Sequence, residues 1–107
     1  MQLITQMRNR VKETLSFSGS ILSAQQTLLG AATTYASFST QYGANTSNIP
    51  FTVVDNSSGQ WVTGYGVYTH SGTKFQATAI TDSSAGANTD VSFSAGTKDI
   101  IVGLNKY

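Results

Sequence analysis

Residues 60–81, QWVTGYGVYTHSGTKFQATAIT, predict a β-hairpin on which the fold of the chain depends. Apolar and aromatic side chains occupy both odd and even positions of its first half, as in a central strand. Ser71-Gly72 stands where a tight turn is needed, because glycine accepts a positive φ. Phe75 begins a second run with a period of two. We therefore expect a central strand, a turn and a returning strand.

Two glycines, Gly64 and Gly66, flank Tyr65 inside the first of these strands. Glycine within a strand usually marks a bend, a bulge or the close approach of another part of the backbone. We expect both residues to make room for large neighbouring side chains.

Short apolar–polar alternations also occur before and after the hairpin, separated by turns rich in Gly, Asn and Ser. They cover residues 11–17, 21–29, 51–54, 91–94 and 98–104. Residues 30–38 fit a strand, a loop or one irregular helical turn, and no segment has a convincing helical period. We expect an all-β domain of six to eight short antiparallel strands, forming a compact β-sandwich or a small barrel.

The chain divides into an N-terminal arm, residues 1–9, and one β-sandwich domain, residues 10–107, with a small barrel as the alternative. The period of two places four large side chains in one core, namely Trp61, Phe75, Phe93 and Val102.

Composition excludes several classes of site. Charged residues make up 10% of the 107, against about 25% in typical soluble domains, and the net charge is +1. The absence of cysteine excludes disulfides, zinc–thiolate sites and cysteine nucleophiles. No apolar run approaches the length of a membrane helix, and residues 1–10 lack the apolar core of a secretion signal. We expect neither a membrane nor a specific nucleic acid as partner, since no basic groove accompanies the aromatic residues.

Residues that could take part in catalysis or bind a metal are few and scattered. The one histidine, His70, stands beside Ser71 in the predicted turn, where we expect it to bond backbone or water rather than form a triad. Asp82 and Asp90 flank the loop SSAGANT, but the alternating acids of a calcium loop are missing. We therefore expect no catalytic residues, no metal and no cofactor.

The first twelve residues carry the candidate docking groups. Apolar Leu3, Ile4 and Met7 are too few to fold alone, and the cations Arg8, Arg10 and Lys12 share one side of an extended chain. The cations fit a solvated strand edge, docking onto an acidic protein surface, or contact with phosphate. For the arm we expect docking onto an adjacent subunit, where it becomes ordered.

Four groups of residues carry a resemblance to a known family, and they are Arg10-Val11-Lys12-Glu13-Thr14, Tyr35-Ala36-Ser37-Phe38, Trp61 with Gly64-Tyr65-Gly66-Val67-Tyr68-Thr69 and Gly72-Thr73, and Val91-Ser92-Phe93-Ser94-Ala95-Gly96-Thr97-Lys98. Through these motifs the chain resembles a small domain of tailed-bacteriophage virion proteins. It spans about residues 10–104, and the closing F-S-A-G-T-K is its most specific part. The chain departs from the family pattern at Val62, where a Glu is usual, at Gln76, where an Arg is frequent, and at Leu15-Ser16-Phe17-Ser18, which replaces a Thr-rich run. The nine residues before Arg10 also form a longer N-terminal segment than is usual in the family.

The resemblance implies a structural and docking role in the virion without catalysis, because the family domain begins tail-fibre proteins and also occurs as short free-standing virion proteins. The expected function is a fibre or tail-fibre attachment module, present as a homo-oligomer in contact with other tail, fibre or capsid subunits. The alternatives are a head decoration protein on the capsid lattice and a carbohydrate-binding module whose Trp and Tyr residues form a sugar platform.

Overall fold

The structure, a computed structural model, describes residues 11–103. It contains six strands and one short helix. In chain order these are β1 (Lys12–Ser16), β2 (Gln26–Ala31), α1 (Phe38–Tyr42), β3 (Thr46–Val54), β4 (Trp61–Thr69), β5 (Lys74–Ser83) and β6 (Thr97–Val102). The predicted arm, residues 1–9, and Arg10 lie outside the described residues.

The six strands form one closed antiparallel barrel in the order β1-β2-β5-β4-β3-β6, with β6 paired to β1. This confirms the all-β expectation and, of its two architectures, selects the barrel. Closure gives each strand two neighbours, which removes the free sheet edges that would otherwise be open to another chain.

The predicted hairpin is present as β4 and β5, which pair from Val62 with Ser83 to Thr69 with Lys74. The turn is closed by the Thr73 N–H, which donates to the His70 carbonyl at 3.1 Å, and Gly72 has a φ of 80°. The turn chemistry expected at Ser71-Gly72 is therefore confirmed.

The even-numbered residues of β4 face the interior, and this corrects one expectation about the core. Val62 and Tyr68 are fully buried, whereas Trp61 lies half-buried on the outer face. Phe75 and Phe93 belong to the core as predicted, and Val102 packs against it half-buried. The prediction for Trp61 was wrong because apolar residues occupy both sides of β4, so its composition does not reveal which side faces inward.

Aromatic rings fill the centre of the barrel. The Phe75 ring lies 5.1 Å from Phe51 and 5.5 Å from Phe38, and Phe38 lies 5.8 Å from Tyr68, all measured between ring centroids. These four side chains have no exposed surface. Phe38 reaches the core from α1, whose N-cap Ser37 accepts the Thr40 N–H at 3.0 Å and which ends at Gly43 in the left-handed conformation.

Gly66 makes room for a large side chain as predicted, whereas Gly64 makes room for the backbone of β5. A Cβ on Gly64 would overlap the Ala79 carbonyl oxygen, and one on Gly66 would lie 2.7 Å from the Gln76 carbonyl oxygen and against the Phe75 ring. The β4–β5 register shifts beside both glycines. The neighbouring strand β5 therefore approaches β4 closely at both glycines.

Three segments differ from the sequence-based expectation. β2 begins at residue 26 rather than 21, β3 begins at residue 46 rather than 51, and Phe93 makes only an isolated bridge to Gly19 instead of lying in a strand. β3 is lengthened past a register shift between Thr46 and Ile49.

Candidate docking surface and the two ends of the barrel

One end of the barrel is closed by Lys98, which faces inward from β6 with a side-chain exposure of 0%. Its Nζ donates to the carbonyl oxygens of Phe17 and Gly96 at 2.7 Å each, and to that of Ser94. The rings of Phe17 and Phe93 lie 5.1 and 5.8 Å from the same Nζ. An ammonium group has three N–H donors, so three carbonyls satisfy all of them.

The charge of Lys98 is balanced by Asp55, a second buried group that follows β3. The Asp55 Oδ2 lies 3.7 Å from the Lys98 Nζ, and Asp55 has an exposure of 1%. Its Oδ1 accepts the Ser57 hydroxyl at 2.8 Å and the Ser57 N–H at 3.0 Å. The Ser57 hydroxyl, aided by the N–H of that residue and the charge of Lys98, holds the pKa of Asp55 below its usual 3.8, although burial opposes the shift.

The other end contains a buried carboxylate held by backbone. Glu13 faces inward from β1 with an exposure of 3%. Its Oε1 accepts the Gly30 N–H at 2.9 Å, and its Oε2 accepts the Phe38 N–H at 2.7 Å. Glu13 thus fastens the end of β2 and the first residue of α1 to β1 through charge-assisted hydrogen bonds.

The motifs that carry the virion resemblance therefore contribute to the barrel itself. Glu13 belongs to the R-V-K-E-T motif, and Lys98 closes F-S-A-G-T-K by bonding to carbonyl groups of its own loop. Both residues are buried, so their charges are used within the fold rather than offered to a ligand.

Of the predicted docking residues, only Lys12 is placed by the structure. Its Nζ lies 4.0 Å from the Asp99 Oδ2 and 5.3 Å from the centre of the Tyr35 ring, and its side chain is 26% exposed. The Lys12 ammonium group therefore already interacts with groups of its own domain. The other predicted docking groups lie outside the described residues, and they are Leu3, Ile4, Met7, Arg8 and Arg10.

His70 is engaged by a side chain rather than by backbone or water, which corrects the expectation for its ring. Its Nδ1 lies 2.8 Å from the Tyr68 hydroxyl, and its backbone N–H donates to the Asn45 Oδ1 at 2.8 Å. Burial raises the pKa of the Tyr68 hydroxyl above its usual 10.0. The hydrogen bond from the His70 N–H to Asn45 anchors the β4–β5 turn to the residue just before β3.

The loop acids Asp82 and Asp90 both accept hydrogen bonds, Asp82 from the next residue and Asp90 from a residue far away in the sequence. The Asp82 Oδ1 accepts the Ser83 N–H at 2.9 Å, and the Asp90 Oδ2 accepts the Ser20 hydroxyl. Residues 11–103 contain no group of three or more His, Asp or Glu side chains placed to hold a metal ion, and they enclose no pocket. No helix among them has the length and apolar character to cross a membrane.

The outer face of β3 and β4 is uncharged. Trp61 and Tyr65 are half-buried there, beside Thr52 and Thr63, whose exposures are 0% and 3%. The Thr52 hydroxyl donates to the Gly103 carbonyl and the Thr63 hydroxyl to the Phe51 carbonyl, each at 2.8 Å. These hydroxyls are bonded within the fold, which leaves the aromatic rings as the main features of this face.

Comparisons with protein-family models, with curated proteins and with solved structures found no match.

Sequence reasoning missed the three buried charges, although a signal for each was present. Lys98 shares the parity of Ile100 and Val102, which predicted the inward face of the last strand. Glu13 and Asp55 likewise continue the parity of buried Leu15 and Val53. A charged residue on the apolar side of a predicted strand predicts a buried, internally satisfied group.

Proposed function

We propose that this chain is a non-enzymatic structural protein of a tailed-phage virion. It acts there as a fibre or tail-fibre attachment module in several copies, in contact with other virion proteins. One observation carries the proposal: the resemblance extends to residues that hold the barrel together, with Glu13 and Lys98 buried at opposite ends.

The electrostatics of the described domain are consistent with assembly. Three of the charged residues between 11 and 103 are buried and bonded within the fold, and Lys12 lies beside Asp99. Few charges then remain to be desolvated when copies pack against one another, which lowers the cost of association.

The test is quantitative mass spectrometry of purified virions of the phage that encodes the chain, with immunogold labelling to locate it. Tens of copies at the tail vertex are the expected result. Hundreds of copies on the head would replace the proposal with the capsid decoration alternative. Absence of the chain from purified particles would overturn the virion assignment altogether.

Carbohydrate binding is the second candidate, because Trp61 and Tyr65 lie on the outer face instead of in the core. Aromatic rings on a surface can stack against sugars, but Thr52 and Thr63 already donate their hydroxyl hydrogens to backbone carbonyls. A glycan array with the purified protein tests this candidate. Binding that is lost in Trp61→Ala would favour it over a purely structural role.

A further inference from the structure

We propose that the outer surface across β2, β1 and β6 receives the N-terminal arm of a second copy of this chain. The inference deepens the proposed function and rests on it, because an assembly supplies the neighbouring copies. We call this surface the receiving surface, and it is formed by Leu29, Thr14, Asp99, Lys12, Ile101 and Tyr35.

Strand register places these residues side by side. Thr14 pairs with Asp99 and Lys12 with Ile101 across β1 and β6. Leu29 lies in the irregular β2 segment opposite Thr14, between the Ala31–Glu13 and Leu28–Leu15 pairs. The Tyr35 ring extends the same surface past Lys12.

The receiving surface contains the two large hydrophobic residues of 11–103 that are exposed, with Leu29 at 59% and Tyr35 at 36%. Isolated exposed hydrophobic residues are ordinary, but two on one surface beside half-buried Ile101 form an apolar patch. Asp99 contributes a carboxylate at 25% side-chain exposure, and its Oδ2 lies 4.0 Å from the Lys12 Nζ and accepts the Asn56 side-chain N–H at 3.0 Å. A segment with apolar groups can cover the patch, and a cation on that segment can approach the exposed part of this carboxylate.

The arm has that chemistry. Leu3, Ile4 and Met7 supply apolar groups, and Arg8 and Arg10 supply cations that can approach Asp99. Ten residues precede Val11, and an extended chain of that length reaches about 33 Å. The longest dimension of the domain is 35 Å, so an arm can span a neighbouring copy.

The position of Val11 favours a second copy over the arm's own domain. The Val11 carbonyl accepts the Val102 N–H at 3.1 Å, and Val11 bridges to Ala36, so the chain is fixed beside the receiving surface at this residue. For the same arm to cover Leu29, it would have to reverse within residues 8–10. A neighbouring copy can receive an extended arm without this reversal.

Disulfide trapping tests the proposal directly, because the natural chain has no cysteine. Met7→Cys and Leu29→Cys are made in separate chains, mixed at the highest concentration that stays in solution, and oxidised. The matched control pairs Met7→Cys with Thr78→Cys, an exposed position on β5. We expect several-fold more mixed disulfide dimer with Leu29→Cys than with Thr78→Cys.

A chain that carries both Met7→Cys and Leu29→Cys separates the two geometries. A disulfide that forms within single chains, independently of protein concentration, would overturn the inference, as would equal trapping at Thr78→Cys. In the mixed experiment, Asp99→Asn in the Leu29→Cys chain should reduce trapping, and added salt should reduce it as well. Trapping uses purified protein, so its failure is separate from absence of the chain from virions.

Discussion

Lys98 is a residue whose replacement should strongly destabilise the barrel. Lys98→Met keeps the length of the side chain but removes the ammonium group, which leaves three carbonyls without their donor and Asp55 without its cation. Breaking a buried ion pair from one side costs about 3–5 kcal/mol, and we expect a loss of that size in the free energy of unfolding. Urea denaturation measures it.

Lys74→Met is the matched control for this substitution, because Lys74 is half-buried at the start of β5 and makes no ion pair with another residue of 11–103. A double variant, Lys98→Met with Asp55→Asn, should recover part of the loss by removing the stranded carboxylate. Equal stability of the Lys98 and Lys74 variants would contradict the structural role of Lys98.

Asp55 makes the stability depend on pH in the acid range. Since the pKa of Asp55 is lower in the folded than in the unfolded state, its contribution is complete well above 3.8 and is lost as the pH falls through the folded-state pKa. We expect the urea midpoint to fall between about pH 6 and about pH 3, with a smaller fall in Asp55→Asn. The same fall in both proteins would assign the acid sensitivity to other groups.

Truncation to alanine should destabilise the fold more at Phe38 than at Trp61, although tryptophan is the larger side chain. Phe38 has no exposed surface and contacts three aromatic rings, so Phe38→Ala should cost about 3–5 kcal/mol. Trp61 lies half-buried on the outer face, and Trp61→Ala should cost about 1 kcal/mol. Thermal and urea unfolding compare the two. A larger loss of stability for Trp61→Ala than for Phe38→Ala would contradict the placement of Trp61 on the outer face.

At the scale of the elements, the β4–β5 pair depends on the missing side chain of Gly64. Gly64→Ala would place a Cβ against the Ala79 carbonyl, which belongs to the backbone and cannot rotate away. We expect a loss of about 1–3 kcal/mol in the free energy of unfolding, as for overpacked sites. Ser71→Ala in the exposed turn is the control and should change stability by less than about 0.5 kcal/mol. Equal stability of the two variants would refute the close approach.

The elements differ in how far the sequence could predict them. β4 and β5 were predictable because a turn signal at Ser71-Gly72 separates two β-prone runs. The side of β4 that faces inward was not, since Trp61 and Tyr65 compete with Val62 and Tyr68 in apolar character. The helix α1 is too short for a periodic signal, and its position depends on burial of Phe38 and on the Glu13 carboxylate, both of which are long-range contacts.

At the scale of the whole molecule, the sequence did not distinguish a barrel from a sandwich. Closure of the barrel depends on the pairing of the first strand with the last, which are far apart in the sequence. β1 and β6 pair over five residues, Lys12 to Ser16 with Ile101 to Thr97. No local pattern encodes such a pairing, since local signals specify strands and turns but not which strands meet. The receiving surface was equally hard to predict, because Leu29 and Asp99 share one surface only through the pairing of both β2 and β6 with β1.

The arm should contribute to assembly rather than to folding, and this is the prediction that concerns the whole molecule. All six strands and the core cluster lie within residues 11–103, so deleting residues 1–9 should leave the melting temperature nearly unchanged. Ordering each residue costs about 1–2 kcal/mol, whereas burial yields about 25 cal/mol per Å², so one arm alone binds weakly. Many symmetric copies, each with a second contact from the folded domain, convert this weak binding into stable assembly.

The measurement pairs a thermal melt with the yield of the truncated protein in virions from a complemented infection. We expect a normal melt and reduced incorporation, with Thr78→Ser as a control that leaves both unchanged because Thr78 is exposed on β5 and does not belong to the receiving surface on β2, β1 and β6. Normal incorporation of the truncated protein would show that the arm is dispensable for assembly. A large fall in melting temperature would instead make the arm part of the fold, since a segment that only docks onto a neighbour has no contact to lose in the monomer.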